Sequence, residues 1–368
     1  MHGARFELLT PALILDLDAF EHNLRDLATF CDRAGLRIRP HAKSHKCSNI
    51  AKRQISAGAV GICCTTLREA QSMINAGIQG VLVTSPVVGT YRANTIVSLA
   101  KSSKSVILVI DNPHNHLELA ETARREGILL DLLVDLDIGM HRTGAVSPDT
   151  ALDLARRIDA HPNTRFRGIQ AYSGIVQHIA GYDERHDVYS GQMNVLRATL
   201  EKLTKAGLKP EIVTGGGTGT HDIDRELGLL TEIQAGSYAF MDVEYNLVEL
   251  RRGVPPPFET ALFMQCSIVS NNAVGVATIN GGFKCFATDG PLPEILDKNF
   301  PGATYEWFGD EHGKMSLTIG TNETPALGSP VTLVTPHCDP TVNLHDYLHC
   351  VRGTKLTDIW QIDARGTL

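Results

Sequence analysis

The sequence predicts an α/β fold in which a (β/α)8 TIM barrel is joined to a second, mostly β domain. Between residues 18 and 245, eight short β-branched runs alternate with longer segments of helical periodicity, and this periodicity stops after about residue 246. Such alternation is typical of βα units around a parallel sheet, and eight is the strand number of this barrel. An open doubly wound sheet of eight strands is the structural alternative.

The predicted helices have clear start and stop signals. The first begins at Asp18, with Glu21 in capping-box spacing, and ends before Gly35. Thr66 and Glu69 repeat the box at a later helix. A hydroxyl or carboxylate followed three residues later by glutamate satisfies free amides at a helix start, and glycine permits the left-handed end.

The eight predicted barrel strands lie near residues 36–40, 60–64, 81–84, 105–110, 129–135, 167–172, 210–214 and 231–235. Beyond the barrel, β-rich runs are predicted at 261–269, 275–279, 331–335 and 356–360. The strand-like TPALILDL at 10–17 precedes the barrel strands and is assigned to the same β domain. We therefore predict a barrel over 18–245 and a discontinuous β domain over 1–17 and 246–368.

Composition excludes several classes of protein. With 43% hydrophobic residues, 20% charged residues and a net charge of −7, the chain is an ordinary globular one without basic blocks, so a nucleic-acid partner is not expected. No signal-peptide core and no 18-residue apolar run occurs, so no membrane association is expected. The eight cysteines form no C-x-x-C pair, which favours buried thiols in a reducing cytoplasm over disulfides.

Lys43, in the run RPHAKSHK, follows the carboxyl end of the first barrel strand, where active sites of this architecture are built. A lysine there can condense with an aldehyde cofactor, particularly if cationic neighbours favour its neutral amine. Candidate neighbours are Arg39, Lys46 and protonated His41 and His45. The alternative is a solvated lysine in a basic turn.

Two loops have the composition of a phosphate site. VTGGGTGT at 213–220, which contains Gly216 and Gly217, follows the seventh predicted strand, and AGSY at 235–238 follows the eighth. Barrels bind phosphate at these loops because glycines let backbone amides close around an anion. The run is neither a dinucleotide fingerprint nor a Walker motif. Each loop alone fits a structural turn equally well, but opposite Lys43 the pair indicates a phosphorylated aldehyde.

Three further side chains are predicted at the same mouth. Arg142, in MHRTG, follows strand five, and Tyr172 ends strand six. Arginine would keep the phenolic oxygen of such a cofactor ionised, while tyrosine would pack on its ring or bind its phosphate. His178, in the loop after Tyr172, is a candidate base, with a surface histidine as the alternative.

The run PHCDPTVNLHD contains His337 and Asp339, one residue apart. On an extended chain this spacing puts both side chains on one face. An imidazole and a carboxylate without a third protein ligand suit a manganese-type divalent ion, although a chance H-x-D is the alternative. Glu311 and His312, in DEHG, are candidates for the same pocket, with an exposed loop as the alternative.

Taken in order, the segments TPALILDLDAFEHNL, RPHAKSHK, MHRTG, GGGTGT, AGSYAFMD, DEHG and PHCDPTVNLHD cover nearly the whole chain. This set resembles the D-threonine aldolase and D-serine dehydratase family of the alanine-racemase-like pyridoxal phosphate enzymes. The resemblance implies a Schiff base on Lys43, metal ligation by His337 and Asp339, and action of His178 on a substrate hydroxyl. It also implies cofactor contacts from Arg142, Tyr172, Thr218, Gly236, Ser237 and Tyr238.

Within that family, H-x-D resembles the aldolase branch and H-x-C the dehydratase branch, so the resemblance implies cleavage of a D-β-hydroxy amino acid to glycine and an aldehyde. The metal would be Mn²⁺, with Mg²⁺, Co²⁺ and Zn²⁺ open, and relatives suggest a homodimer. INGG at 279–282 replaces an aspartate-containing turn of many relatives, which puts any role of that turn in doubt. The alternatives are a D-serine or D-3-hydroxyaspartate dehydratase and a non-catalytic pyridoxal phosphate carrier.

Overall fold

The computed structural model describes residues 7–103, 105–296, 298–318 and 325–366. The strands of this part, numbered along the chain, are β1 (Ala12–Asp16), β2 (Arg37–Ile38), β3 (Ile62–Cys64), β4 (Val81–Val83), β5 (Val106–Ile110), β6 (Leu130–Leu136), β7 (Thr164–Ala171), β8 (Ile212–Gly215), β9 (Glu232–Ile233), β10 (Leu262–Ser270), β11 (Val276–Ile279), β12 (Glu294–Ile295), β13 (Thr304–Trp307), β14 (Gly313–Ser316), β15 (Pro330–Val334), β16 (Tyr347–Arg352) and β17 (Lys355–Gln361). The helices are α1 (Leu17–Ala34), α2 (Ser48–Ser56), α3 (Leu67–Asn75), α4 (Thr90–Ser103), α5 (Pro113–Glu126), α6 (Pro148–Ala160), α7 (Tyr182–Lys205), α8 (His221–Leu227), α9 (Val243–Asn246) and α10 (Cys338–Asn343).

Among the described residues, eight strands form a parallel sheet in the order β2, β9, β8, β7, β6, β5, β4, β3. The seam between β2 and β3 is closed by backbone hydrogen bonds from Val60 to Ile38 (2.9 Å) and from Cys63 to Pro40 (2.8 Å). A single bridge between His41 and Cys63 continues the seam. The predicted (β/α)8 barrel is confirmed, and the open doubly wound sheet is excluded.

The helix starts show which local signals determined the structure. The capping box of Thr66 and Glu69 is present at α3. The predicted box at Asp18 and Glu21 is wrong, because α1 is capped by Asp16, whose carboxylate accepts from the Asp18 amide at 3.0 Å. Strand β1 runs into α1 without a linker, so Asp16 is the last residue with extended backbone and occupies the cap position.

The second sheet contains the N-terminal strand. In the described residues it has nine strands, with the path β13, β14, β11, β10, β1, β16, β17, and with β15 joining β10 to β12. Strand β1 pairs antiparallel with β10 and parallel with β16. The chain therefore enters through the second sheet, forms the barrel and returns, which confirms the predicted mostly β second domain.

The two sheets share a continuous apolar boundary near the carboxyl ends of the barrel strands. One buried cluster contains Leu15 of β1, Phe20 of α1, Phe240 after β9, Met264 of β10 and Leu348 of β16. Packing of this kind fixes the second sheet against the barrel. Across the described ranges, no helix has both the length and the apolar composition needed to cross a membrane.

Candidate active site

Lys43 lies in a short 3-10 turn, Ala42–Ser44, directly after β2. The His41 imidazole caps this turn by accepting from the Lys43 amide at 3.3 Å. The Lys43 ammonium forms an ion pair with the carboxylate of Asp339, which belongs to the second domain's segment of the chain. Burial alone would lower the pKa of Lys43, but the charges of Asp339 and Tyr172 raise it above its ordinary value.

The prediction that cationic neighbours keep Lys43 neutral is wrong, because each of them is neutral or paired. Arg39 forms a bidentate pair with Glu232, at 2.8 and 3.1 Å, and Lys46 pairs with Glu69 at 2.7 Å. Burial lowers the pKa of His41 to about 3 and that of His45 to about 4, so neither imidazole carries a charge at neutral pH. Paired with Asp339, Lys43 is a charged ammonium.

The glycine loop lies between β8 and α8, at the same end of the barrel. Gly216 has φ of +61°, and a Cβ built there would lie 2.1 Å from the Asp224 carboxylate. A Cβ on Gly217 would lie 2.5 Å from the Gln177 amide oxygen. The loop can hold this tight course only with glycine at both positions.

The side chains of Asp224 and Gln177 hold the glycine loop through hydrogen bonds. Asp224 accepts from the hydroxyls of Tyr189 (2.8 Å) and Thr220 (2.9 Å). The Gln177 side chain accepts from the Gly219 amide at 2.9 Å. Because Asp224 is buried, its pKa is raised to about 7, despite the lowering effect of those two hydroxyls.

A second loop, after β9, lies beside the first. The Tyr238 amide donates to the Thr218 hydroxyl at 3.0 Å, so the two loops are directly bonded. In the described chain, the amides of Thr218, Gly236 and Ser237 donate to no protein acceptor. A Cβ on Gly236 would lie 3.1 Å from the His41 carbonyl, within this concavity. Neighbouring backbone amides that have no protein acceptor suit a phosphate group.

Tyr238 contributes to this site through its backbone rather than its ring. The ring is buried in the core and packs on Phe258, with 5.7 Å between ring centroids. Its hydroxyl accepts from the Gln54 side chain at 3.4 Å. The phenol is therefore turned away from the loops whose amides form the concavity.

Arg142 and Tyr172 face each other across the ends of β6 and β7. The Arg142 guanidinium lies 5.8 Å from the centroid of the Tyr172 ring, at the distance of a cation–π contact. Arg142 is exposed and Tyr172 is half-buried. The structure thus brings together two of the predicted cofactor contacts.

His178, in the loop after β7, packs against Tyr245 of α9, with 4.6 Å between ring centroids. Its Nδ1 lies 3.5 Å from a Glu244 carboxylate oxygen, and its ring lies 6.4 Å from that of His337. Burial lowers the pKa of His178 and outweighs the raising effect of Glu244, and the charges of His337 and Lys43 lower it further. The lowered pKa of His178 favours its uncharged imidazole.

The prediction that His337 and Asp339 share one face of an extended chain is wrong. His337 is extended, with φ of −140°, but Asp339 lies in the first turn of α10. Pro340, also in the first turn, is compatible with a helix start because amides there need no intrahelical acceptor. The charges of Lys43 and His337 nevertheless outweigh the burial of Asp339 and lower its pKa to about 2.

The tautomer of His337 follows from its partner. The Asp289 carboxylate can only accept, so we assign the proton of this 3.0 Å contact to Nδ1 of His337, and Nε2 is the ring nitrogen left for another partner. A histidine that binds a metal through one nitrogen usually donates its other N–H to a carboxylate or carbonyl oxygen. Within the described ranges, no group of three or more His, Cys, Asp or Glu side chains is placed to hold a metal ion.

The structure does not bring Glu311 and His312 to this pair, contrary to the prediction. Glu311 forms an exposed ion pair with Lys284 at 2.6 Å, and the His312 carbonyl accepts from the Phe308 amide. The INGG turn also lies apart from the site. Its Asn280 accepts from the Ser267 amide at 2.7 Å and donates to the Thr10 carbonyl at 3.0 Å, which is a structural role.

Sequence reasoning missed three carboxylates of the site: Asp289 behind His337, Glu244 beside His178, and the buried Asp242. Asp242 lies in the motif AGSYAFMD, so a signal was present, whereas Asp289 and Glu244 lie in segments without a recognisable pattern. Together the groups at this mouth are an amine, a glycine loop with backbone amides that have no protein acceptor, a histidine of lowered pKa and an imidazole–carboxylate pair.

The chain is similar to known proteins over nearly its whole length. The alanine racemase N-terminal domain model matches residues 15–243, and a serine dehydratase domain model matches residues 261–351. A D-threonine aldolase of Arthrobacter sp. is 38% identical over 97% of this chain and 93% of its own length. A 3-hydroxy-D-aspartate aldolase of Paracoccus denitrificans is 34% identical over 98% of this chain and 93% of its own length.

The crystal structure of D-threonine aldolase from Filomicrobium marinum superposes with a TM-score of 0.93 at 38% identity, covering 98% of this chain and 97% of that one. A D-threo-3-hydroxyaspartate dehydratase of Delftia sp. is 26% identical over 88% of this chain and 87% of its own length. The similarity to these aldolases is therefore greater than the similarity to this dehydratase.

Proposed function

Because the chain belongs to the alanine racemase N-terminal domain family, we propose that it is a pyridoxal-phosphate- and divalent-metal-dependent aldolase that cleaves a D-β-hydroxy amino acid to glycine and an aldehyde. The resemblance predicted from the motifs is confirmed by the comparisons. The enzyme is a carbon–carbon lyase, as the named aldolases that resemble it are.

One observation carries the proposal: Asp339 reaches across from the second domain to Lys43 at the barrel mouth. A lysine that only tethered a cofactor would need no such partner. This contact, with the His178 ring 6.4 Å from that of His337, supports a single reaction centre that would include the H-x-D pair, His178 and the tethering amine. A non-catalytic carrier gives no reason for this arrangement.

Pyridoxal phosphate fits the residues present. Lys43 would tether it, the amides around Thr218, Gly236 and Ser237 would bind its phosphate, and Arg142 and Tyr172 would flank its ring. The glycine loop, including Gly216 and Gly217, would cradle the phosphate. When bound, this cofactor supplies an electron sink for negative charge that develops at the substrate Cα.

His178 would accept the proton of the substrate β-hydroxyl. Its lowered pKa keeps it uncharged at neutral pH, which a base requires. Tyr245 fixes the plane of the imidazole, and Glu244 lies beside Nδ1. Nδ1–H would then face Glu244, and Nε2 would receive the proton.

His337 and Asp339 would hold the divalent ion, and we propose Mn²⁺, with Mg²⁺, Co²⁺ or Zn²⁺ as substitutes. Oxygen and imidazole donors without thiolate favour such ions. When bound there, the ion supplies positive charge next to the substrate hydroxyl. We further propose a homodimer in the cytoplasm; the eight buried free cysteines are compatible with a reducing compartment.

The test is product analysis. Purified protein with pyridoxal phosphate and Mn²⁺ is incubated with D-threonine, D-phenylserine, D-3-hydroxyaspartate and D-serine, with the L-enantiomers as matched controls. Glycine and an aldehyde from at least one D-substrate are expected. A keto acid and ammonia would instead establish the dehydratase, and no product from any substrate would favour the carrier.

A further inference from the structure

The helix that carries Asp339 is capped by a residue from outside its own segment. Helix α10 begins at Cys338, and the side chain of its N-cap residue, His337, makes no capping hydrogen bond. The His337 imidazole is instead bonded to Asp289 at 3.0 Å. The first amide of α10 therefore needs an acceptor from elsewhere, because helix starts leave amides without intrahelical partners.

Asp242 supplies that acceptor. Its fully buried carboxylate accepts from the Cys338 amide through Oδ2 at 2.8 Å, and from the Tyr245 amide through Oδ1 at 2.8 Å. One carboxylate thus caps two helices at once, α9 in its own segment and α10 almost a hundred residues later. Both oxygens are needed, one for each helix.

Two backbone hydrogen bonds beside this contact join the segment after Asp242 to the segment before His337. The Val243 amide donates to the Thr335 carbonyl at 3.0 Å, and the Glu244 amide donates to the Pro336 carbonyl at 3.3 Å. These bonds align residues 242–244 with residues 335–338. The Asp242 bond extends these contacts to the Cys338 amide.

We propose that Asp242 is a positioning residue for the metal pair. By holding the Cys338 amide, it sets the direction in which α10 starts, and with it the relative orientation of His337 and Asp339. Because Asp242 caps α10, the His337 imidazole does not have to cap this helix and is free to bind a metal. The inference rests on the proposed function, because it concerns the metal of the same reaction centre.

The test measures Mn²⁺ affinity by electron paramagnetic resonance of free Mn²⁺ on the cofactor-loaded protein. Asp242→Asn keeps the size of the side chain but replaces one acceptor with an NH₂ group, so one of the two caps is lost. Loss of a residue that orients a metal ligand weakens metal binding by about 10- to 100-fold. We expect a loss of this size, with the absorbance of the lysine-bound cofactor unchanged.

Cys338→Pro removes the donor instead of the acceptor and keeps the test valid if Asp242→Asn fails to fold. Proline is tolerated at a first helical position, and the extended backbone of His337 suits a residue before proline. Cys338→Ala is the matched control, because it loses the thiol but keeps the amide. The proline variant should bind Mn²⁺ about 10- to 100-fold more weakly than the alanine variant, and combining it with Asp242→Asn should add little.

Equal Mn²⁺ affinity of the proline and alanine variants would overturn the inference; this comparison decides, because an asparagine at 242 can still offer its one oxygen to the Cys338 amide. Simultaneous loss of cofactor and metal would also overturn it, since Asp242 would then hold the whole site together. If the unsubstituted protein binds no Mn²⁺, the metal dependence in the proposed function is wrong. This result is obtained before any variant is made, so it is distinguishable from failure of the inference about Asp242.

Discussion

The ammonium of Lys43 and the carboxylate of Asp339 form an ion pair, although 296 positions of sequence separate them. In the proposed function, the cofactor would bind Lys43 and the metal would bind Asp339. If Lys43 holds the cofactor and Asp339 the metal, as we propose, the pair would link the two binding events. Attachment of a cofactor to Lys43 would release Asp339 from its cation, and the metal could then take that place.

The first prediction is that replacing Lys43 by methionine raises the Mn²⁺ affinity of the cofactor-free protein. The substitution removes the competing charge and keeps most of the side-chain volume. Because the pair is partly exposed, solvent screens it, and we expect a gain on the order of tenfold. Titration calorimetry of wild type and Lys43→Met checks it.

Lys46→Met is the control, because Lys46 is paired with Glu69 and not with the metal pair. It should leave Mn²⁺ affinity unchanged. Equal or weaker binding by Lys43→Met would mean that the ammonium does not compete for Asp339.

The second prediction concerns the glycine loop. Gly216→Ala adds a Cβ at a positive φ, 2.1 Å from the Asp224 carboxylate, so the loop must shift. Such strain costs about 1–3 kcal/mol, and we expect at least tenfold weaker binding of pyridoxal phosphate, measured by absorbance titration.

Gly191→Ala is the matched control. Gly191 lies within α7, and a Cβ there meets nothing within 4 Å. Alanine in a helix is about 0.5–1 kcal/mol more stable than glycine. The control should therefore raise the melting temperature and leave cofactor binding unchanged; weaker binding in both variants would contradict a specific role of Gly216.

Local patterns predicted the parts of the fold that depend on neighbouring residues. The strand runs and the Thr66 capping box appear where the sequence places them, because periodicity and capping act over a few residues. The H-x-D spacing wrongly predicted an extended segment at residues 337–339. The start of α10 there is capped by Asp242, which is distant in sequence. Sequence spacing cannot reveal an acceptor that lies almost a hundred residues away.

The charge of Lys43 could not be predicted for the same reason. Composition shows that Arg39 and Lys46 are nearby, but it does not show that Glu232 and Glu69 neutralise them. The charge state of a side chain at the barrel mouth depends on charged residues from several strand ends. The sequence of one segment shows only its own charges.

The third prediction uses the pH dependence of stability. The pKa of Asp224 is raised to about 7, so the folded state favours its protonated form. Its contribution to stability is fully present below about pH 4, the carboxyl pKa of an unfolded chain, and is lost as pH rises through 7. Thermal unfolding should show a lower melting temperature at pH 8 than at pH 6.

Asp224→Asn cannot ionise, so its melting temperature should fall less over this interval. The pKa values of Asp135 and Asp242 are raised to about 6 and act in the same direction, so the comparison with wild type isolates Asp224. An equal fall in both proteins would show that Asp224 does not titrate there.

The fourth prediction concerns metal removal. A pair of protein ligands holds a divalent ion less firmly than three or four, so a chelator should abolish cleavage while the absorbance of the lysine-bound cofactor persists. Added Mn²⁺ should restore activity. Asp339→Ala should behave like the chelated enzyme, whereas normal turnover in both would show that the H-x-D pair is not a metal site.

The fifth prediction tests His178 as the base. General-base help contributes a factor of about 10² to 10⁴, so His178→Ala should reduce kcat by that factor and leave cofactor absorbance intact. Steady-state kinetics with the best substrate measures it. Near-normal turnover would assign the proton transfer to another group.

The pH profile separates a base from a residue that only packs in the site. Burial lowers the pKa of His178, so the acid limb of kcat/KM should lie below the usual histidine value of about 6.5. The charge of Glu244 raises that pKa, and its removal in Glu244→Gln should therefore move the acid limb to still lower pH. In His178→Ala the limb should disappear from the residual activity. A limb that stays in place in both variants would belong to a different group, and His178 would then not be the base.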